Sequence, residues 1–426
     1  MRPATKRPWR LARFPVAAFV AAAVMVAAAS VGSAAPASGG SSAASAASPL
    51  ANWTQWGYNG RHTGYNPSET VLTRANVGHL VRAFSTPLYD EYGDPIVVNG
   101  VVYISDSFGT GTIQAIDGIS GVVDWTLEGP CEGGGSSDPA FASGNVWVGF
   151  TDPGLGAIQA SGVGVSCIEA GDTYATPPVA GGGSVYAGGS DGALVAIDAI
   201  TGQVRWLIPT TCPCTYYGTP TLSANGSDLY VASTTYVSGG GSINDLDELN
   251  ASTGALIWSR DVDATCSTSF SWYDVGIADA GSLLYVNGCD LEALSASTGA
   301  VEWHSAGDLG PDVLPPVVAG NLVIASTGDQ GLAAFNATTG KLLWRNTKVV
   351  VTSTASYSAA ATIANGVVYV DEASSFVMLN SSTGAQLGMR QPPSGFQFDG
   401  DAIPVDGHIY IAAYGPTGDR LVAYEP

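Results

Sequence analysis

The chain is organised by a short alternation of apolar and polar positions that runs into a polar turn and then a large aromatic residue. In Asp191–Trp206 (DGALVAIDAITGQVRW) the alternation over Ala193–Asp198 predicts a half-buried strand. Asp198–Gly202 supplies turn chemistry, with Asp able to bond nearby backbone and Gly free to take positive φ. Gln203–Trp206 opens a second strand. Alone this is one β-hairpin; its weight comes from repetition.

Two landmarks recur. The first is a tight turn before a strand that holds an aromatic or large apolar residue: Tyr103, Trp147, Tyr186, Tyr230, Tyr285, Ile324, Tyr369 and Tyr410. Their separations are 44, 39, 44, 55, 39, 45 and 41, which gives eight units of about 44 residues with one insertion. The second is A-x-D/N-x-x-T/S-G-x-x-x-W, at Ala115–Trp125, Ala196–Trp206, Leu249–Trp258 (the Leu shifted by one), Ala293–Trp303 and Ala334–Trp344. Unit seven keeps the turn, Asn380–Gly384, but has Gly388 where Trp is expected. Unit two is degenerate, with Cys167 near the Trp position.

Each unit reads as four strands. In unit three they are roughly Pro178–Ala180, Ser184–Gly188, Ala193–Asp198 and Gln203–Leu207. Four strands about every 44 residues is the signature of a propeller blade. The last unit, Ala402–Tyr424, stops after its third strand, and Leu80–Phe84, ahead of the first full blade, is available as the missing fourth. Phe84 then replaces the terminal Trp, and closing the ring with both termini removes the open edges. The expectation is an all-β, eight-bladed β-propeller of four-stranded blades, closed by an N-terminal strand in the C-terminal blade.

The motif resembles the tryptophan-docking repeat of the PQQ-like (quinoprotein alcohol dehydrogenase-like) eight-bladed propellers. Asn52–Arg61 (NWTQWGYNGR) and Asn76–Leu80 (NVGHL) also look like the start of that superfamily. The likeness runs from about Trp53 to Pro426. It is specific for fold and weak for function, because such propellers include both enzymes and binding scaffolds.

Composition then sets the setting. Met1–Arg13 is basic, Phe14–Ala29 apolar, and Val31–Ala35 mostly small, the order of a secretory signal peptide. Residues 1–35 are therefore expected to be removed, with a retained membrane anchor as the alternative, and 36–50 to be a disordered Ala/Ser linker. Residues 51–426 form the propeller. The expected location is secreted or cell-envelope, with no stable membrane insertion after cleavage. A net charge of −21 argues against nucleic acid and anionic lipid, and for cations or basic partners. A monomer is expected.

Six cysteines in a secreted chain suggest disulfides. Cys131, Cys167, Cys212, Cys214, Cys266 and Cys289 all fall in or beside loops at one face of such a ring, where fourth strands lead to the next blade and second strands to third. Cys131–Cys167 and Cys266–Cys289 are candidate pairs, leaving Cys212 and Cys214 as a strained local bridge or a partner for a neighbour. The four histidines show no metal spacing, so zinc or haem chemistry is not expected.

Trp125, Trp206, Trp258, Trp303 and Trp344 are expected to dock between blades rather than to carry chemistry. The sequons at Asn250, Asn336 and Asn380 stand where Asp198 stands elsewhere, so turn formation explains them. The Cys-bearing face is also acidic and aromatic. Asp94, Asp138 and Asp401 each lie nine residues before their landmark and open the inner strands of three consecutive blades. Gathered at one mouth of the channel, such carboxylates suit Ca²⁺ through their oxygens, against the simpler role of capping a turn. Asp274 joins them if the first hairpin of blade 5 is two residues longer.

Two functions fit. The preferred one is a secreted, non-catalytic binding module or scaffold whose face or channel takes a protein, glycan, ion or small-molecule ligand. The alternative, implied by the resemblance, is a compact PQQ- and Ca²⁺-dependent oxidoreductase of alcohols or sugars. The absence of adjacent cysteines and the short loops favour the module, and no segment matches a family active site closely enough to assign catalytic residues.

Overall fold

The structure is a computed structural model. It describes residues 51–426 apart from 90–92, 107–109, 132–133, 151–153, 170–175, 190–192, 210–214, 237–241, 262–275, 288–289, 306–314, 327–330, 350–360 and 373. The expected signal peptide and linker lie outside the described residues, as do Cys212, Cys214, Cys266, Cys289 and Asp274.

Eight antiparallel sheets follow one another along the chain. Blade 1 comprises Ile96–Val98, Val101–Ser105, Ile113–Asp117 and Val123–Leu127, and the plan repeats through blade 7, which ends at Gln386–Arg390. Blade 8 takes Ile403–Val405, His408–Tyr414 and Arg420–Glu425 from the C-terminus and Val81–Pro87 from the N-terminus, the last two pairing antiparallel. The closure expected from the sequence is therefore present.

The repeated turn explains how blades grip one another. Asp198 Oδ1 accepts from the backbone N–H groups of Ile200 and Thr201, and Asn250, Asn336 and Asn380 accept likewise in their own turns. The turn Gly sits at φ near +70° beneath the aromatic ring of the preceding blade. A Cβ on Gly340 would lie 2.6 Å from the Trp303 ring, so Gly is required twice over, by conformation and by contact. Each indole N–H then donates across the blade boundary: Trp125 to Ala160 O at 3.0 Å, Trp206 to Ala251 O at 2.9 Å, Trp258 to Ala296 O at 3.3 Å, Trp303 to Ala337 O at 2.9 Å and Trp344 to Ser381 O at 2.8 Å. Phe84 occupies the same place over Gly121, as its position in the sequence implies.

The exceptions have physical causes. In blade 2 it is Ile168, not Cys167, that lies over the turn glycine of blade 3, Gly202; Cys167 is bonded to Cys131. Blade 8 has no turn between its third and fourth strands, because those strands come from opposite ends of the chain. A Trp at position 388 would thus have nothing to dock on. Gly388 instead admits the short 3₁₀ turn Val77–His79, against which a Cβ would lie 3.0 Å from Gly78 Cα, and Arg390 donates to Leu80 O at 2.7 Å and Gly78 O at 2.9 Å. In blade 4 the residue paired with the docking Trp is Glu248, where Ala115, Ala196, Ala293 and Ala334 stand in blades 1, 3, 5 and 6. Leu249, shifted by one from the motif position in the sequence, follows this Glu248.

Candidate functional site

Inner strands run from an upper mouth, where each blade begins, to a lower end, where the first hairpin turns. The lower end is occupied by residues 53–66, which visit every blade in chain order. Trp53 exchanges two backbone hydrogen bonds with Val97 of blade 1, both 2.8 Å. Thr54 O accepts from Phe141 N of blade 2 at 2.7 Å, and Gln55 Oε1 from Ala180 N of blade 3 at 2.6 Å. Gly60 O accepts from Leu222 N of blade 4 at 2.6 Å, and Arg61 O from Asp279 N of blade 5 at 2.9 Å. Thr63 O and Gly64 O accept from Val318 N of blade 6 and Ile363 N of blade 7, both at 2.8 Å. At blade 8 the equivalent residue is Pro404, which has no N–H to give; there Asn66 Nδ2 donates to Pro404 O at 2.9 Å. The inner edges of eight sheets, otherwise rows of unmet backbone groups, are in this way satisfied by one segment. Trp53, Gln55, His62, Thr63 and Asn66 are buried in it. The Arg61 Nε–Asp279 Oδ2 pair at 2.8 Å ties it to blade 5.

At the upper mouth the structure brings Asp94, Asp138 and Asp401 together, all buried. They form a relay around the ring. Asp94 N donates to Asp138 Oδ1 at 2.8 Å, and Asp401 N donates to Asp94 Oδ1 at 2.5 Å. The carboxylates of Asp138 and Asp94 thus each cap the equivalent residue one blade back. Gly400 makes this approach feasible, since a Cβ there would lie 2.3 Å from Asp94 Oδ1. Ser137 braces the rim: its N–H donates to Gly149 O and its Oγ accepts from Gly149 N, both at 2.9 Å, while Ser105 Oγ donates to Ser137 O at 2.7 Å.

Burial pushes the carboxyls of Asp94 and Asp138 above the usual range, the charge of Asp94 adding to it at Asp138 and that of Asp399 at both, and Asp138 Oδ2 is buried without a hydrogen-bond partner. Two carboxylates so placed resist ionising together, and a proton or a cation relieves them. The amides so capped belong to neighbouring blades, which differs from the local turn-capping role considered in the sequence. Among the described residues no group of three or more His, Cys, Asp or Glu is close enough to hold a metal ion.

Other residues of this face divide. Phe398 is core, against Phe376 and Tyr424 at 5.5 and 6.3 Å, and Phe396 packs under the Arg420 guanidinium at 5.2 Å. Cys131–Cys167 joins the loop that leads into blade 2 to that blade's outer strand. Asp90, Glu91, Tyr92, Asp172, Tyr174, Phe270, Trp272, Tyr273, Asp308 and Asp312 lie outside the described residues.

A family described as outer membrane protein assembly factor BamB, built on PQQ-like repeats, matches residues 82–208 and 239–400, more than half of the chain. The chain belongs to that PQQ-like propeller family. The dehydrogenase subunit of a quinone alcohol dehydrogenase from Komagataeibacter europaeus is 28% identical over 165 residues, which span 38% of this chain and 18% of that protein. Among solved structures, a europium-containing methanol dehydrogenase superposes with a TM-score of 0.69 at 13% identity, over 89% of this chain and 99% of that one. A quinohemoprotein alcohol dehydrogenase, ADHIIG, from Pseudomonas putida HK5 gives 0.65 at 15%, over 88% and 80%. BamB from Moraxella catarrhalis gives 0.58 at 17%, over 82% and 100%. At these identities the structural likeness establishes the fold. The matched segment spans less than a fifth of that curated relative, so the likeness to it is partial.

Proposed function

We propose that the chain is a compact quinone-dependent oxidoreductase of alcohols or sugars, holding a PQQ-type quinone and Ca²⁺ at the upper mouth and acting outside the cytoplasm. The observation that carries this is the Asp94–Asp138 pair: buried, raised in pKa, and left with one unpartnered oxygen, Asp138 Oδ2. Asp138 Oδ2 offers one hard oxygen donor beside a like charge, an arrangement that a calcium ion or a proton would relieve, with the remaining oxygens of a calcium shell to come from the ligand and water. The similarity to a quinone alcohol dehydrogenase subunit supports the same choice.

When bound, the quinone supplies a two-electron acceptor. The chain's own part is positioning and proton handling. Amide N–H groups of neighbouring blades fix Oδ1 of Asp94 and Oδ1 of Asp138, so Asp138 Oδ2 keeps one direction. That atom either meets the cation or takes the proton of a substrate hydroxyl. Residues 53–66 at the lower end leave the upper mouth as the face for ligand. Asp401 closes the relay through its backbone N–H and is the third candidate for the cation.

A second reading, a binding module for an ion, glycan, small molecule or protein, is favoured by one observation: among the described residues no three potential ligands converge. Purified protein incubated with PQQ and Ca²⁺ and assayed for dye reduction with alcohols and sugars separates the two. Turnover that needs both additions, and that falls in Asp138→Asn, supports the enzyme. Calcium-dependent stabilisation without quinone binding or turnover supports the module.

A further inference from the structure

His62 lies at the middle of the segment that fills the lower end of the channel, between the inner strands of blades 4 and 5. Its side chain is buried, 2% exposed, and its backbone holds φ +50°, an uncommon conformation for a residue with a Cβ. Thr221 Oγ1 donates to Ile277 O at 3.0 Å, so toward His62 Nδ1, 3.1 Å away, it can only accept. That fixes the neutral tautomer with hydrogen on Nδ1. Nε2 is then a lone pair, buried and without a partner. A Trp56 edge covers the ring at 4.7 Å.

The geometry points to an acid-released clasp. With His62 neutral, residues 53–66 close the lower end of the channel; protonation of His62 at Nε2 frees the segment from the inner strands of blades 4 and 5 and opens that end. A proton on Nε2 would find no acceptor where the atom now sits. The charged groups on the elements packed against His62 are Arg61 of its own segment and Asp279 of blade 5, and these two already neutralise one another. Thr221–Leu222 of blade 4 carries no charge. Relief therefore comes from movement into water. The direction agrees with burial, which lowers the His62 pKa to about 3. With the folded pKa below the ordinary imidazole value, the clasp is fully stable above about pH 6.5 and weakens as pH falls toward 3, by up to about tenfold per pH unit.

Hydrogen exchange of the full chain, with rates corrected for intrinsic pH dependence, tests this. The amides of Leu222 in blade 4 and Asp279 in blade 5 donate to the segment. Between pH 7.5 and 4.5 their protection should drop at least tenfold together, while the blade-interior amides of Val195 and Val323 keep theirs. In His62→Gln, whose side-chain amide can still donate to Thr221, the drop should vanish. Protection that stays flat to pH 4.5 in the wild-type chain, or an equal drop in His62→Gln, overturns the proposal. If that variant does not fold, histidine NMR decides, because the chain has four histidines. The His62 resonance should hold its neutral position until the clasp amides open and then move with them. A smooth titration near pH 6.5 with those amides still protected overturns the clasp.

Discussion

Replacing Glu248 with alanine should stabilise the ring at pH 8 and leave it nearly unchanged at pH 4.5. Glu248 is paired with Trp258 at the place where four other blades carry alanine. It is 4% exposed, its Oε2 has no partner, and its Oε1 meets Tyr230 Oη only at 3.5 Å. Burial chiefly, and the charge of Asp228 next, raise its pKa from 4.5 to about 7. Because the folded pKa lies above the unfolded one, the cost is absent below pH 4.5 and grows as pH rises through 7. The full shift corresponds to a ceiling of about 3 kcal/mol, and solvent screening of the carboxylate brings the expected gain to roughly 1–2 kcal/mol. Alanine fits without a large void, since Tyr285 and Trp303 sit 5.9 Å apart over Ala293, against 6.3 Å for Tyr230 and Trp258. Over Ala293 the equivalent tyrosine also reaches its carbonyl, Ala337 O, at 3.0 Å, whereas Tyr230 reaches Ala296 O at 3.5 Å. Urea midpoints at pH 4.5 and 8 read the effect directly. A loss of stability at pH 8, or an equal change at both pH values, would refute the assignment of Glu248 as a strained substitute for the repeat alanine.

Other expectations follow from the same contacts. Gly340→Ala combines a φ of +66° with a Cβ 2.6 Å from Trp303, and should cost about 1–3 kcal/mol in thermal or chemical unfolding. Reducing Cys131–Cys167, or replacing both with alanine, frees a loop whose ends are 36 residues apart, for an expected loss of about 3–4 kcal/mol measured as a lower unfolding midpoint. Arg61→Ala leaves the fully buried Asp279 carboxylate without its cation and should cost about 2–4 kcal/mol; Asp279→Ala should cost less, because Arg61 is partly exposed and still donates to the main-chain O of residue 279, and the double variant should cost less than the sum.

Much of the fold is legible in the sequence because it is periodic. The docking tryptophans, the turn acids and the Phe84 closure each recur or complete a series, and the structure places them as that series requires. What the sequence hides is whatever occurs once. Residues 53–66 meet six inner edges with backbone groups, which leave no residue signature, and the other two with the side chains of Gln55 and Asn66. Gly388 looks like a lost tryptophan until the missing turn of blade 8 explains it. Glu248 is hidden because the motif expects a small apolar residue there, so the eye settles on the neighbouring Leu249, although the bulge after Glu248 recurs after the repeat alanines of other blades. The rim acids are intermediate. Asp94 and Asp138 stand 44 residues apart, one repeat, which predicts neighbouring places at the mouth. That each caps its neighbour's amide depends on backbone direction and could not be read from spacing.

The most direct test of the proposed activity is a titration of the purified protein with PQQ in the presence and absence of Ca²⁺, followed by tryptophan fluorescence and by dye reduction with an alcohol. A quinone-dependent oxidoreductase with its site at the Asp94–Asp138 rim should show saturable, Ca²⁺-dependent quinone binding and turnover, both weakened by Asp138→Asn in a chain that remains folded. No quinone binding at micromolar concentrations, in protein whose Ca²⁺ response and fold are intact, would contradict it.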